Sequence, residues 1–158
     1  MKINHDTALT DGLELFRQSK WHKNYNVEDV YRYLIAPLKY NRIRLYYQYK
    51  KPIGLVTWCW LSQENGKKFL NNNYYITKDD YVSDTGEELW GIELIAPYGD
   101  VRQVVNLTRK EHADVYKRNE TIHWRRLHEP NKRHTRELNR MGLWYLGVVV
   151  VVILHLHL

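Results

Sequence analysis

Eight histidines, 18 carboxylates and a single cysteine supply the proton-transfer, metal-binding and thiol chemistry open to this sequence of 158 residues. The histidines are His5, His22, His112, His123, His128, His134, His155 and His157, and they show no recognised ligand spacing. No metal is expected. His155 and His157 alternate on one face of a strand-like tail, but two ligands make a weak site. His22 lies between Lys20 and Lys23; on that context alone it is a solvated loop residue, although imidazole is the side chain best suited to accept a proton near neutral pH. Glu93 is the one charge in the apolar half of a strand-like segment. It reads either as a solvent-facing residue on an open sheet or as an acid held for a partner. Cys59, flanked by Trp58 and Trp60, reads as a small core residue or as a nucleophile. The sequence contains no Gly-x-x-x-x-Gly-Lys, Gly-x-Gly-x-x-Gly, Gly-x-Ser-x-Gly or His-Glu-x-x-His. Nucleotide hydrolysis, dinucleotide oxidoreduction, elbow-type serine hydrolysis and zincin chemistry lose their support accordingly.

The elements that must position these residues follow from periodicity. Leu9, Leu13 and Phe16 recur at helical spacing and predict a helix over about residues 8–19, with Thr7 or Thr10 to cap it. Asn26 caps a second helix whose Val27, Val30, Tyr31 and Leu34 share a face, and Pro37 is expected to stop or kink it. From Ile43 the period drops to two. A strand there, a turn at Lys50-Lys51-Pro52 and a second strand over Ile53–Leu61 predict an antiparallel hairpin. Ser62 opens a short helix reaching about Asn71. Trp90, Ile92, Leu94 and Ala96 alternate with Gly91, Glu93 and Ile95, which predicts a third strand over Glu88–Ala96 with Glu93 facing away from Trp90. Asp100 follows the Pro97-Tyr98-Gly99 break and caps a valine-rich helix, a cap contributing about 1 kcal/mol. Thr121–Leu127 is a weaker strand candidate and Pro130–Met141 a polar, basic helix. Hairpins mixed with helices define an α+β domain on a mainly antiparallel sheet flanked by helices.

Three blocks stand out in this order: Ser19-Lys20-Trp21-His22-Lys23-Asn24-Tyr25, Trp58-Cys59-Trp60-Leu61-Ser62-Gln63-Glu64-Asn65, and Glu93-Leu94-Ile95-Ala96-Pro97-Tyr98-Gly99-Asp100. Together they resemble the toxin-activating lysine acyltransferases that fatty-acylate RTX protoxins, over about Leu13 to Lys110. The Ile-Ala-Pro-Tyr-Gly-Asp run is the most specific piece. The resemblance implies a GNAT-like fold over residues 1–141, an acyl carrier protein thioester as donor substrate with no separate cofactor, and the ε-amine of an internal lysine of a protein as acceptor. It places His22 at the family's essential histidine and Glu93 where the family carries its essential aspartate, with Ser19 as a weaker transfer. Under it His22 is the general base, and Glu93 is its orienting partner or a second contact to the incoming amine.

Twenty-four Lys and Arg against 18 Asp and Glu give a formal net charge of +6, which suits an acidic partner. An acyl carrier protein is one, and Arg125 and Arg126 are candidates for the donor's phosphopantetheine phosphate. One cysteine excludes an internal disulfide and fits a reducing, cytoplasmic setting, and Met1–Gly12 holds no apolar run resembling a signal peptide. Residues 142–158 are apolar apart from His155 and His157. At 17 residues the segment is short for a bilayer-crossing helix, and its run of valines favours a final buried strand. A membrane-associating tail and a strand covered by a second copy, in a homodimer, are the alternatives. The competing functions are an inactive binding or structural protein on the same fold, and a basic nucleic-acid-binding module with tyrosines as stacking platforms. The acyltransferase reading requires no nucleic acid.

Overall fold

The computed structural model describes residues 5–111, 121–125 and 154–155. The first helix, α1 (His5–Gln18), buries Ala8, Leu15 and Phe16 and leaves Leu13 exposed. The buried stripe is therefore turned from the expected Leu9-Leu13-Phe16 line. Gly12 explains the turn: a Cβ there would lie 2.6 Å from a Leu34 methyl carbon, so the helices meet where α1 has no side chain. Positions 8, 12, 15, 16 and 19 then share one inward face, which carries Ser19 toward the sheet.

A 3₁₀ turn (His22–Asn24) separates α1 from α2 (Val27–Val30). Asn26 caps α2 as its type predicts: its side chain accepts from the Asp29 N–H at 2.9 Å, while the Asp29 carboxylate accepts from the Asn26 N–H at 3.3 Å. Pro37 does not stop the helical path. A π-helical turn (Tyr31–Ile35) intervenes and α3 (Ala36–Lys39) continues with Pro37 in its first turn. The wider turn passes the Ala36 N–H to the Tyr31 carbonyl just ahead of the residue that has no N–H.

The hairpin β1 (Ile43–Gln48) and β2 (Lys51–Leu61) turns at Tyr49 and Lys50, one residue earlier than expected. Both have positive φ, 48° and 66°, the sense that matches the twist of paired strands. Pro52 is thus inside β2, beside a register shift where its missing donor is tolerated. Next come α4 (Gln63–Leu70), α5 (Lys78–Val82), β3 (Glu88–Ile95), α6 (Val101–Glu111), β4 (Thr121–Trp124) and β5 (Leu154–His155). Ser62 caps α4, accepting the Asn65 N–H at 3.1 Å. The short α5 carried no apolar period long enough to predict it.

The five strands lie in the order β1-β2-β3-β4-β5. Pairing is antiparallel except for β3 with β4, which run parallel because α6 carries the chain across between them. The domain is α+β with a mixed sheet, in which three of the four pairings are antiparallel. On one face Val56, Trp58, Trp60, Leu89, Ile122 and Trp124 pack with Val104 of α6. The opposite face holds two clusters, one joining Leu55 and Ile95 to α1 and Leu34, the other joining Cys59 and Trp90 to Phe69 and Tyr81.

Within this second face β3 departs from simple alternation. Cys59 pairs with Trp90 and Thr57 with Glu93, while Trp58 pairs with Gly91, so Ile92 is an extra residue in β3. Residues 57 and 59 share a face of β2, and their partners must share it too. The bulge at Ile92 therefore brings Trp90 and Glu93 to the same side, correcting the expectation that they face apart.

Among the described residues no helix is long and apolar enough to cross a membrane. Arg126, the expected helix over 130–141 and all of 142–158 except Leu154 and His155 lie outside them. The two exceptions pair with Ile122 and Thr121.

Gly91 faces the Trp124 ring, where an added Cβ would approach three ring atoms to 2.4 Å. We expect Gly91→Ala to lower the unfolding free energy by about 1–3 kcal/mol in urea denaturation. An unchanged midpoint would mean that Trp124 does not pack there.

Candidate active site

Ser19 ends the path of α1, its N–H bonded to the Leu15 and Phe16 carbonyls at 3.0 and 3.2 Å. The chain then tightens into the 3₁₀ turn, which places the His22 ring between Phe16 and Tyr25, at centroid distances of 5.3 and 5.0 Å. Ser19 Oγ lies 2.6 Å from His22 Nδ1, and His22 Nε2 lies 2.9 Å from Glu93 Oε2. The Tyr25 hydroxyl donates to Glu93 Oε1 at 3.2 Å. Ser19, His22 and Glu93 are 7%, 6% and 7% exposed. Neither the solvated-loop reading of His22 nor the solvent-facing reading of Glu93 survives that burial.

The partners fix the tautomer. A carboxylate only accepts, so the neutral ring carries its proton on Nε2 toward Glu93, and Nδ1 accepts from the Ser19 hydroxyl. If the ring gains a second proton, Nδ1–H donates to Ser19 Oγ and the imidazolium lies against Glu93. The arrangement can accept a proton at Nδ1 and stabilise the resulting charge at Nε2.

Thr57 sets the position of the carboxylate. It is fully buried, and its hydroxyl accepts the Glu93 backbone N–H at 3.0 Å, beside the bulge. Tyr25 holds the second oxygen of Glu93. Its hydroxyl is pushed well above the usual phenol range by burial and by the Glu93 charge, so it remains a donor. Burial and Glu93 push Tyr33 upward in the same sense, and its ring lies 5.6 Å from that of Tyr25. Neither Thr57 nor Tyr25 was assigned a role from sequence. The available signals were a lone hydroxyl in the apolar run of β2 and a tyrosine three residues after His22.

Arg125, just past β4, is half-buried, donates from Nη1 to the Phe69 carbonyl at 2.8 Å and stacks 3.9 Å from the Phe69 ring centroid. Burial lowers its pKa, while Tyr33, Glu93 and Tyr25 act in the opposite sense. Its Nε has no hydrogen-bond partner among the described residues. Cys59 is fully buried on the Trp90 side, and burial pushes its thiol well up, which removes the thiolate a nucleophile would need. His123 stacks on Trp90 at 4.9 Å. Among the described residues no group of three or more His, Cys, Asp or Glu could hold a metal ion.

Fold and site together define an α+β domain built around a buried serine–histidine–glutamate chain of hydrogen bonds. The chain belongs to the HlyC family of RTX toxin acyltransferases, whose sequence model matches residues 1–140. The likeness therefore continues past Lys110, where the motifs fade. It is similar to the protein-lysine myristoyltransferase HlyC of Escherichia coli, 29% identical over 115 residues, covering 72% of this chain and 65% of that protein. It is also similar to the lysine-acyltransferase RtxC of Vibrio cholerae, 27% identical over 121 residues, 70% of this chain and 78% of RtxC. An uncharacterized Synechocystis protein, sll0720, is 27% identical over 84 residues, 52% of this chain and 56% of its own length. The chain thus spans less than two thirds of the Escherichia coli and Synechocystis relatives.

Two outcomes follow from the hydrogen bonds around Glu93. Thr57→Val strands its buried N–H and should cost about 1–3 kcal/mol in chemical denaturation. Tyr25 has a raised pKa in the fold, so its contribution is complete below the free phenol value of about 10 and is lost as pH rises beyond it. Unfolding free energy should fall above about pH 10, and Tyr25→Phe should flatten that slope when stability is measured against pH.

Proposed function

We propose that this chain is a protein-lysine acyltransferase of GNAT-like fold. It moves a fatty acyl group from an acyl carrier protein thioester to the ε-amine of an internal lysine of a protoxin-like protein, in the cytoplasm. Family membership supports the reaction class, as do relatives named protein-lysine myristoyltransferase and lysine-acyltransferase. The observation that carries the reading is the buried chain Ser19–His22–Glu93.

A lysine amine, with a pKa near 10.4, is protonated at neutral pH and must lose a proton to attack a thioester. His22 Nδ1 takes that proton through the Ser19 hydroxyl, which lies against it at 2.6 Å. Glu93 holds Nε2–H and offsets the imidazolium charge. The amine nitrogen then bonds to the thioester carbonyl carbon, the carbon–sulfur bond breaks, and the departing thiolate takes the proton back from the imidazolium, while the extra proton left on the nitrogen passes to solvent by way of the freed imidazole. The products are an amide, a free thiol and one proton. Such a base contributes about 10²- to 10⁴-fold; positioning of the two substrates supplies the rest. Arg125 and Arg126 are assigned to the phosphate of the donor's arm, since a guanidinium fork matches phosphate oxygens. The +6 charge favours an acidic carrier.

Glu93 stands where the family pattern has aspartate. In this chain the longer side chain spans to Nε2 at 2.9 Å, and Glu93→Asp would withdraw the carboxylate by up to about 1.5 Å. The experiment loads an acyl carrier protein with a fatty acyl group and follows transfer to a protoxin-type acceptor. His22→Ala and Glu93→Ala should each lower the rate about 10²- to 10⁴-fold while urea unfolding stays cooperative. Ser19→Ala and Glu93→Asp should give smaller losses. Transfer indifferent to both alanine changes rejects the site.

A further inference from the structure

A file of tyrosine rings leads from the protein surface to the buried carboxylate. Tyr75, 72% exposed, lies on the outside. The Arg32 guanidinium carbon is 5.5 Å from the Tyr75 centroid and 6.0 Å from that of Tyr33, which places those two rings around one side chain. Tyr33 is half-buried and stands 5.6 Å from Tyr25. Tyr25 touches the His22 ring and donates to Glu93 Oε1. Exposure falls inward along this file, and the far end is a negative charge.

We propose that Tyr75, Tyr33 and Tyr25 are the recognition surface for the acceptor lysine, whose side chain runs along the rings toward the Ser19–His22–Glu93 chain. The inference rests on the acyl-transfer reading and adds to it the residues that select the amine. Aromatic faces attract an ammonium group, and a desolvated carboxylate at the end of the path strengthens that attraction. Arg32 shows that two of these rings already accept a cation. Its own charge is balanced by Glu28 at 3.2 Å.

Two measurements test this, one of them independent of catalysis. In the first, Nα-acetyl-lysine amide is titrated into the full chain and the ring resonances of Tyr25, Tyr33 and Tyr75 are followed by NMR. Saturable shifts are expected, absent with the norleucine analogue that lacks the amine and weakened about 3- to 30-fold by Tyr33→Leu. Equal response to both amides, or none, overturns the inference. In the second, acyl transfer is measured with Tyr33→Leu, Tyr33→Phe and Tyr75→Ala. The expected result is a raised acceptor KM for Tyr33→Leu and Tyr75→Ala, rescue by Tyr33→Phe, which keeps the ring, and a donor KM that does not move. An effect on the donor KM instead overturns the inference and leaves the enzyme reading standing. Lysine binding without any acyl transfer has the reverse meaning.

Discussion

The rest of the site depends on keeping one carboxylate out of water. Glu93 sits in the sheet face that α1 and Leu34 of the π-helical turn pack on, and an ionised acid there without partners would cost several kcal/mol. Three groups offset the cost: the ring of His22 at Oε2, the hydroxyl of Tyr25 at Oε1, and the charge of Arg125 nearby. None of these is supplied by the strand that carries Glu93. The acid therefore ties the end of α1 and the 3₁₀ turn to the centre of the sheet. The same desolvation that makes the acid costly also makes its hold on an imidazolium strong.

Placement of that carboxylate is a matter of register. The extra residue at Ile92 reverses the parity of β3, and the Thr57 hydroxyl takes the Glu93 N–H beside it. On the same face the apolar core is split into two clusters, with Leu55 and Ile95 on one side and Cys59 and Trp90 on the other. The polar pair Thr57 and Glu93 occupies the seam between them. Each cluster anchors one wall, so the site is bounded by rigid packing rather than by loops. Gly12 has a comparable role in α1, because its missing Cβ lets Leu34 approach and turns Ser19 inward.

His22 in turn belongs to an aromatic group with Phe16, Tyr25 and Tyr33. Ring packing restricts the imidazole as Ser19 and Glu93 fix its two nitrogens, so both the tautomer and the orientation of the base are set before any substrate arrives. A base held in this way loses little on reaching a reactive geometry, which is the physical content of the proposed transfer step.

The sequence by itself determined the local features: a capped helix at Asn26, the period-two strands, the Ser62 cap and the three blocks that contain Ser19, His22 and Glu93. These are readable because caps, periods and motif spacings act over a few neighbouring residues. Tertiary structure decided what the blocks do together. Alternation alone sends Glu93 away from Trp90, and only pairing with β2 reveals the bulge that returns it. Leu13 looks like a core residue until the contact between Gly12 and Leu34 rotates α1, and Pro37 looks like a stop until a π-helical turn absorbs it. The Tyr25 hydroxyl reaches Glu93 from 68 residues away in sequence. Contacts of that span depend on how whole elements pack, and no short window of residues encodes them.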